Sequence, residues 1–183
     1  IVGFSPRAMA ALETATLART FFDVRDMGKG YANNAYPYTP AVGLLNGLKM
    51  ATEMLLNEGL DNVFARHNRI ATGVRAAVNA WGLDLCAASP DLYSNTVSAI
   101  RTPDGFDATS IVTIAADKYG VAFGVGLGEV DGKVFRIGHL GSLTDVMMLS
   151  GLATAEMCMV DLGLDVKLGS GVAAAQEHYR KSV

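Results

Sequence analysis

The stretch "GKVFRIGHLG", residues 132–141, decides how this chain is read. It is a short apolar run bracketed by glycines, with one guanidinium, Arg136, near its middle. Its length and bulky apolar residues predict a buried strand. Side chains alternate across a strand, so Phe135 and Ile137 share one face while Val134, Arg136 and Gly138 share the other. The first face suits a core covered by helices. The second carries a cation beside a glycine that leaves room. An arginine taken out of water needs an anion to meet it. Two partners are open: an internal Asp or Glu, or the carboxylate of a ligand held through two parallel hydrogen bonds, which lysine cannot reproduce.

Upstream of this strand, "VAFGVGL" (121–127) predicts a second strand, and "GEVDG" between the two carries Asp131-Gly132 as a hairpin signal. "SNTVSAIRTP" (94–103) alternates as a third strand, and Pro103-Asp104-Gly105 turns the chain. "DATSIVTIAADKYG" (107–120) predicts a helix capped by Asp107 and closed by Gly120. A long apolar helix follows over 142–163 and a short one over "GVAAAQEHYRK". Upstream, Val63, Ile70, Val74, Ala77 and Trp81 recur at helical spacing, so 60–81 is an amphipathic helix with Arg66, Arg69 and Arg75 turned mostly outward. Residues 40–58 read as a helix loosened by Gly43 and Gly47. Residues 1–4 read as a strand, followed by a helix from Ser5-Pro6 to about Leu17. Between them, "RTFFDVRDMGKGYANNAYPYTP" (19–40) reads as a long functional loop, because a solvated linker would not carry five aromatics. Helices over a small, largely antiparallel sheet make an α+β layer architecture.

The composition agrees with a packed core: 183 residues, 50% of them hydrophobic, with a net charge of −3. No basic face stands out, which argues against nucleic acid as a partner. No apolar run reaches the roughly 18 residues that span a bilayer, so no membrane is expected. Cys86 and Cys158 lie far apart without metal-ligand spacing, and a reducing, cytoplasmic compartment is expected. The chain opens on "IVGFSPRAMAAL" without an initiator methionine or a signal-type pattern, and the expectation is a C-terminal portion of a longer protein.

Other candidate sites are weaker. Thr39 before Pro40 predicts a helix start, with the hydroxyl at N-cap and proline at N1, a cap worth about 1 kcal/mol. A helix N-terminus also attracts phosphate, and the hydroxyls of Tyr36 and Tyr38 are nearby donors. The glycines of "GVGLGEVDG" lead into a hairpin and not a helix, which removes the nucleotide-loop reading. His67, His139 and His178 fit no metal pattern. His67 is expected to be solvated and His139 to be a satisfied core histidine.

Five segments together carry a resemblance: "YPYTPAVGLLNGLKMA" (36–51), "EGLDNVFARHNR" (58–69), "AWGL" (80–83), "GKVFRIGHLG" and "LGSGVAAA" (168–175). They resemble, in order and over essentially all 183 residues, the class V pyridoxal-phosphate aminotransferases, most closely the serine–glyoxylate branch. The resemblance implies an α/β enzyme of fold type I. Residues 1–58 would close the large cofactor domain and residues 59–183 would form the α+β small domain. It implies that Arg136 binds the α-carboxylate of the amino and oxo acids, and that Tyr36 and Thr39 contact the phosphate of pyridoxal 5'-phosphate bound in a partner subunit, hence a homodimer or larger homo-oligomer. It implies ping-pong transfer of nitrogen from a small amino acid, serine by branch, to glyoxylate. The family's Schiff-base lysine should precede residue 1, since Lys29, Lys49, Lys118, Lys133, Lys167 and Lys181 lack its context. The chain would therefore need the N-terminal portion of the same protein. Cysteine desulfurases share the class but carry a nucleophilic cysteine in the hairpin loop, which "GVGLGEVDGK" lacks. Alternatives are another amino donor, alanine or aspartate, or a non-catalytic domain that kept the fold.

Overall fold

The structure is a computed structural model that describes residues 2–182. The chain divides into two compact units, Ile1–Glu53 and Met54–Val183. Among the described residues it forms seven α-helices and one three-stranded sheet.

The first unit holds α1 (Pro6–Leu12), α2 (Val24–Ala32) and most of α3 (Val42–Glu58). The Ser5 hydroxyl caps α1 by accepting from the Ala8 N–H at 3.2 Å, and Pro6 sits in the first turn, as predicted. The helix stops at Leu12 and not near Leu17. Thr14 offers the reason: its amide and hydroxyl both turn back to the Ala11 carbonyl at 3.3 Å, and the Arg19 guanidinium takes the carbonyls of Leu12 and Ala15. Residues 2–4 form no strand, and residue 1 lies outside the described residues.

The expected loop over 19–40 contains α2. Asp23 starts it, accepting from the Arg25 amide at 3.0 Å and from the Arg25 guanidinium at 2.6 Å, and these donors hold its carboxyl well below the usual range. Gly28 and Gly30 hide the helix from a propensity reading. Gly30 is required by packing, since a Cβ there would meet the Ala35 carbonyl at 2.9 Å. None of the residues in α1, α2 or α3 is buried.

The second unit contains α4 (Leu60–Ala80), β1 (Val97–Arg101), α5 (Thr109–Tyr119), β2 (Gly124–Val125), β3 (Val134–Gly138), α6 (Asp145–Asp161) and α7 (Ser170–Lys181). The sheet is antiparallel in the order β1-β3-β2. Phe135 and Ile137 are buried, as alternation predicts, against Ile70 and Val74 of α4, Ile111 of α5 and Leu152 of α6. Val134, predicted to share the open face with Arg136, is buried too, so only Arg136 and Gly138 remain accessible there. Strand β2 is far shorter than 121–127. Its link to β3 is not a two-residue hairpin: a 3₁₀ turn at Gly128–Val130 precedes a turn at Asp131-Gly132 closed by the Lys133 N–H on the Val130 carbonyl at 3.1 Å. Gly132 takes φ 68°, which that turn requires. Asp107 caps α5 from one residue further out, accepting from the Thr109 amide at 2.9 Å, and Gly120 closes the helix at φ 67°.

The arginines of α4 do not simply face water. Arg66 donates to both Glu58 oxygens at 2.6 and 2.7 Å and to the Gly141 carbonyl at 2.6 Å. Arg69 forks onto Asp145 with two bonds of 2.6 Å and reaches the Tyr179 carbonyl. His67, expected to be solvated, accepts from the Gly141 amide at 3.1 Å and turns its other ring nitrogen to the Val63 carbonyl. Helix α4 thus grips both polar atoms of Gly141, the residue that ends the deciding stretch.

Glu156 is only 2% exposed inside apolar α6. One oxygen accepts from the Trp81 indole at 2.9 Å, the Gly171 amide at 2.6 Å and the Val172 amide at 3.1 Å. The other accepts from the Gly169 amide at 2.6 Å. Its carboxylate satisfies the otherwise orphaned amides at the start of α7 and pins that helix to α4 and α6. Nothing in the local pattern of α6 predicted this.

Candidate substrate-carboxylate site

Strand β3 sets Arg136 between two small cross-strand neighbours, Ala99 on β1 and Gly124 on β2. Room for its side chain therefore comes from Gly124 and not from Gly138, whose missing Cβ would approach Leu140. The Arg136 Nε–H donates to the Val125 carbonyl at 2.8 Å. Among the described residues the guanidinium pairs with no carboxylate, and its Nη atoms have no protein hydrogen bond. Among the described residues, the internal ion pair left open by the sequence is absent. Instead, Arg136 lines a cavity of about 180 Å³ whose other walls are mainly apolar, including Leu85, Leu92, Tyr93, Val97 and Ala99. A half-buried cation with free donors in an apolar pocket suits a small anion, since the low-polarity wall strengthens the attraction.

Two supports hold the cavity wall. Arg75 of α4 is the first, and sequence reasoning missed it by turning it outward. Its guanidinium lies 5.8 Å from the Tyr93 ring centre and donates to the Asn95 side-chain oxygen at 3.3 Å and to the Thr72 hydroxyl at 3.0 Å. Burial lowers its pKa from the ordinary value, opposed by Tyr93. The second support is His139, fully buried as expected. Its Nδ1 faces the Asn95 carbonyl at 3.1 Å and its Nε2 faces the Ser98 hydroxyl at 2.9 Å. The carbonyl can only accept, so Nδ1 carries the proton and Nε2 accepts from Ser98.

Burial is the main reason the His139 pKa lies below its ordinary 6.5; the Asn95 carbonyl opposes this, and Arg75 adds to it. The unfolded chain then binds a proton where the folded one does not. The stability contributed by neutral His139 is complete above about pH 6.5 and is lost as pH falls through the lower folded value. The urea midpoint of the protein is expected to drop between pH 7.5 and 5.5 by more than that of His139→Gln, which cannot titrate. Equal drops would assign the pH dependence to other groups.

Tyr36 and Thr39 lie in the first unit, on the strap between α2 and α3. Thr39 does not cap α3: the helix opens at Val42, after a turn in which the Val42 N–H donates to the Pro40 carbonyl at 2.9 Å. Tyr36 borders a cavity with Met27, Tyr31 and Asn34. Both residues are exposed, and neither hydroxyl has a protein partner among the described residues. Each hydroxyl is a free donor of the kind a phosphate oxygen can accept from. Among the described residues no group of acidic, histidine or cysteine side chains is placed to hold a metal ion, and no helix is long and apolar enough to cross a membrane. Cys158 is buried, which pushes its thiol up to about 11 and makes it inert as a nucleophile.

A small antiparallel sheet backed by helices has clear counterparts among known proteins. The chain belongs to the class V, fold-type-I aminotransferases. It is 71% identical over 182 residues to the L-aspartate–glyoxylate aminotransferase of Paracoccus denitrificans (strain Pd 1222), matching 100% of this chain and 46% of that protein. It is 54% identical over 164 residues to the serine–glyoxylate aminotransferase of Hyphomicrobium methylovorum, matching 90% of this chain and 40% of that protein. The crystal structure of pyridoxamine–pyruvate aminotransferase from Mesorhizobium loti superposes with a TM-score of 0.88 at 34% identity, over 99% of this chain and 47% of that one. No family model matches. The chain spans a little under half the length of these relatives.

Proposed function

We propose that these residues are the C-terminal portion of a pyridoxal-phosphate-dependent aminotransferase that delivers the amino group of a small amino acid to glyoxylate. The unpaired Arg136 in its apolar cavity carries the reading, because amino acid and oxo acid share one feature, a carboxylate next to the reacting carbon. Pyridoxal phosphate, when bound, supplies the aldehyde that carries nitrogen between the two acids. Arg136 holds each acid in turn by its Nη donors and fixes the distance of the reacting carbon, so its part is position and charge and not proton transfer. Tyr36 and Thr39 donate to the cofactor phosphate. The lysine that binds the cofactor comes from protein outside these 183 residues.

In this reading residues 1–58 complete a cofactor domain and residues 59–183 form the small domain. The exposed Leu44, Leu48 and Met50 of α3 then face the remainder of the protein or a second copy in a cytoplasmic homodimer. For the donor, the name of the 71% identical relative favours aspartate. Serine, which the resemblance implied, is the second reading and is favoured by the Hyphomicrobium relative.

The test uses the protein extended to the length of its relatives and loaded with pyridoxal phosphate. Glycine formation from glyoxylate is measured with aspartate, serine and alanine at equal concentrations. The cofactor absorbance is expected to fall on adding the true donor and to return with glyoxylate. A colourless protein, or no glycine from any donor, overturns the reading and favours a domain that kept the fold without the chemistry.

A further inference from the structure

We propose that Gly124 is a positioning residue for the substrate carboxylate: with the Val125 carbonyl it sets the orientation in which Arg136 meets the acid. The inference rests on the assignment of the Arg136 cavity to the substrate carboxylate.

Gly124 and Arg136 are register partners across β2 and β3. A Cβ on residue 124 would stand 3.1 Å from Arg136 Nε, 3.2 Å from its Cβ and 3.3 Å from its Nη2. All three atoms belong to one side chain, and they run along it from root to tip. The arginine therefore lies flat across the bare backbone of Gly124. The next residue, Val125, accepts the Nε–H at 2.8 Å. With Nε committed there, the guanidinium presents only its two Nη atoms to the cavity. A carboxylate must then be taken end-on, through Nη1 and Nη2, and not sideways through Nε. Gly124 has no positive φ, so the backbone would accept a side chain at this place. The three atoms nearest to such a Cβ all belong to the arginine.

This makes Gly124 separable from stability. Alanine is better than glycine inside a strand, so a purely structural position would gain or hold its melting temperature on Gly124→Ala. Arg136, however, must shift by a few tenths of an ångström and give up part of its bond to Val125. The experiment uses the full-length, cofactor-loaded enzyme, with Gly124→Ala, Gly124→Ser as a second carrier of the same Cβ, and Arg136→Gln as control. Three quantities are read: KM for donor and for glyoxylate, kcat, and the dissociation constant of glycolate, an unreactive acid of similar size, by calorimetry. Gly124→Ala and Gly124→Ser are expected to raise both KM values and the glycolate constant by about tenfold, with kcat changed less than about threefold and no loss of melting temperature.

If Arg136→Gln weakens glycolate and both Gly124 variants do not, the positioning role is wrong and the carboxylate site stands. If Arg136→Gln also leaves glycolate unchanged, the site assignment itself fails and takes the inference with it. A Gly124 variant that loses melting temperature and kcat together would show a merely structural glycine.

Discussion

With Arg136 holding the substrate carboxylate as proposed, its replacement by lysine in the full-length protein is expected to raise KM for the amino donor and for glyoxylate together, and Arg136→Gln is expected to raise both further. Truncating one member of a buried, hydrogen-bonded charge pair costs about 2–5 kcal/mol, so the glutamine variant should lose at least about 30-fold. Lysine should fall between, because one ammonium must divide itself between the Val125 carbonyl, now held by Arg136 Nε at 2.8 Å, and the incoming carboxylate. Both acids present the same group to the same donor, so the two constants should move in parallel. The turnover number should fall less, since in the proposed role Arg136 moves no proton. Steady-state kinetics with both substrates varied gives the answer, and unchanged constants for both would remove Arg136 from the site.

The other large effect is on stability. Glu156→Ala is expected to destabilise the protein by about 3–5 kcal/mol, because it strands the Trp81 indole and three backbone amides at the start of α7 without acceptors. Glu156→Gln should cost less. Its amide oxygen can keep the three donors that converge on one carboxylate oxygen, but its NH₂ group then faces the Gly169 N–H, donor against donor. The order alanine worse than glutamine worse than wild type, read from urea midpoints, follows from that geometry. Equal midpoints for all three would mean that the start of α7 is held by its apolar contacts alone. The effect should reach the site as well, since α7 packs on α4, which carries the Arg75 support for the cavity wall.

How much of this was legible in the sequence depends on how far each partner lies along the chain. Alternation in "KVFRIG" was enough to bury Phe135 and Ile137 and to send Arg136 the other way, because the period of a strand is a local property. The spacing in α4, the cap at Ser5 and the stop at Gly120 were readable for the same reason. Local signals also misled where two of them competed. Thr39-Pro40 looked like a helix start, but the chain turns once more before α3 opens at Val42. Gly28 and Gly30 argued against a helix that Asp23 caps and that Ala35 packs upon.

The layer architecture, the orientation of the Arg136 strand and, through five ordered motifs, the family are all written in the local pattern of the chain. What Arg136 touches is set by long-range packing. The choice between an internal ion pair and an open pocket depended on which residues stand across β1 and β2, and register across strands is set by loop geometry that leaves no periodic trace. The same holds for Glu156, whose donors come from Trp81, 75 positions away, and from amides 13 to 16 positions ahead. A hydrogen bond is satisfied by a particular atom in a particular place. Periodicity specifies a face and leaves the identity of the atom opposite it to the folded chain.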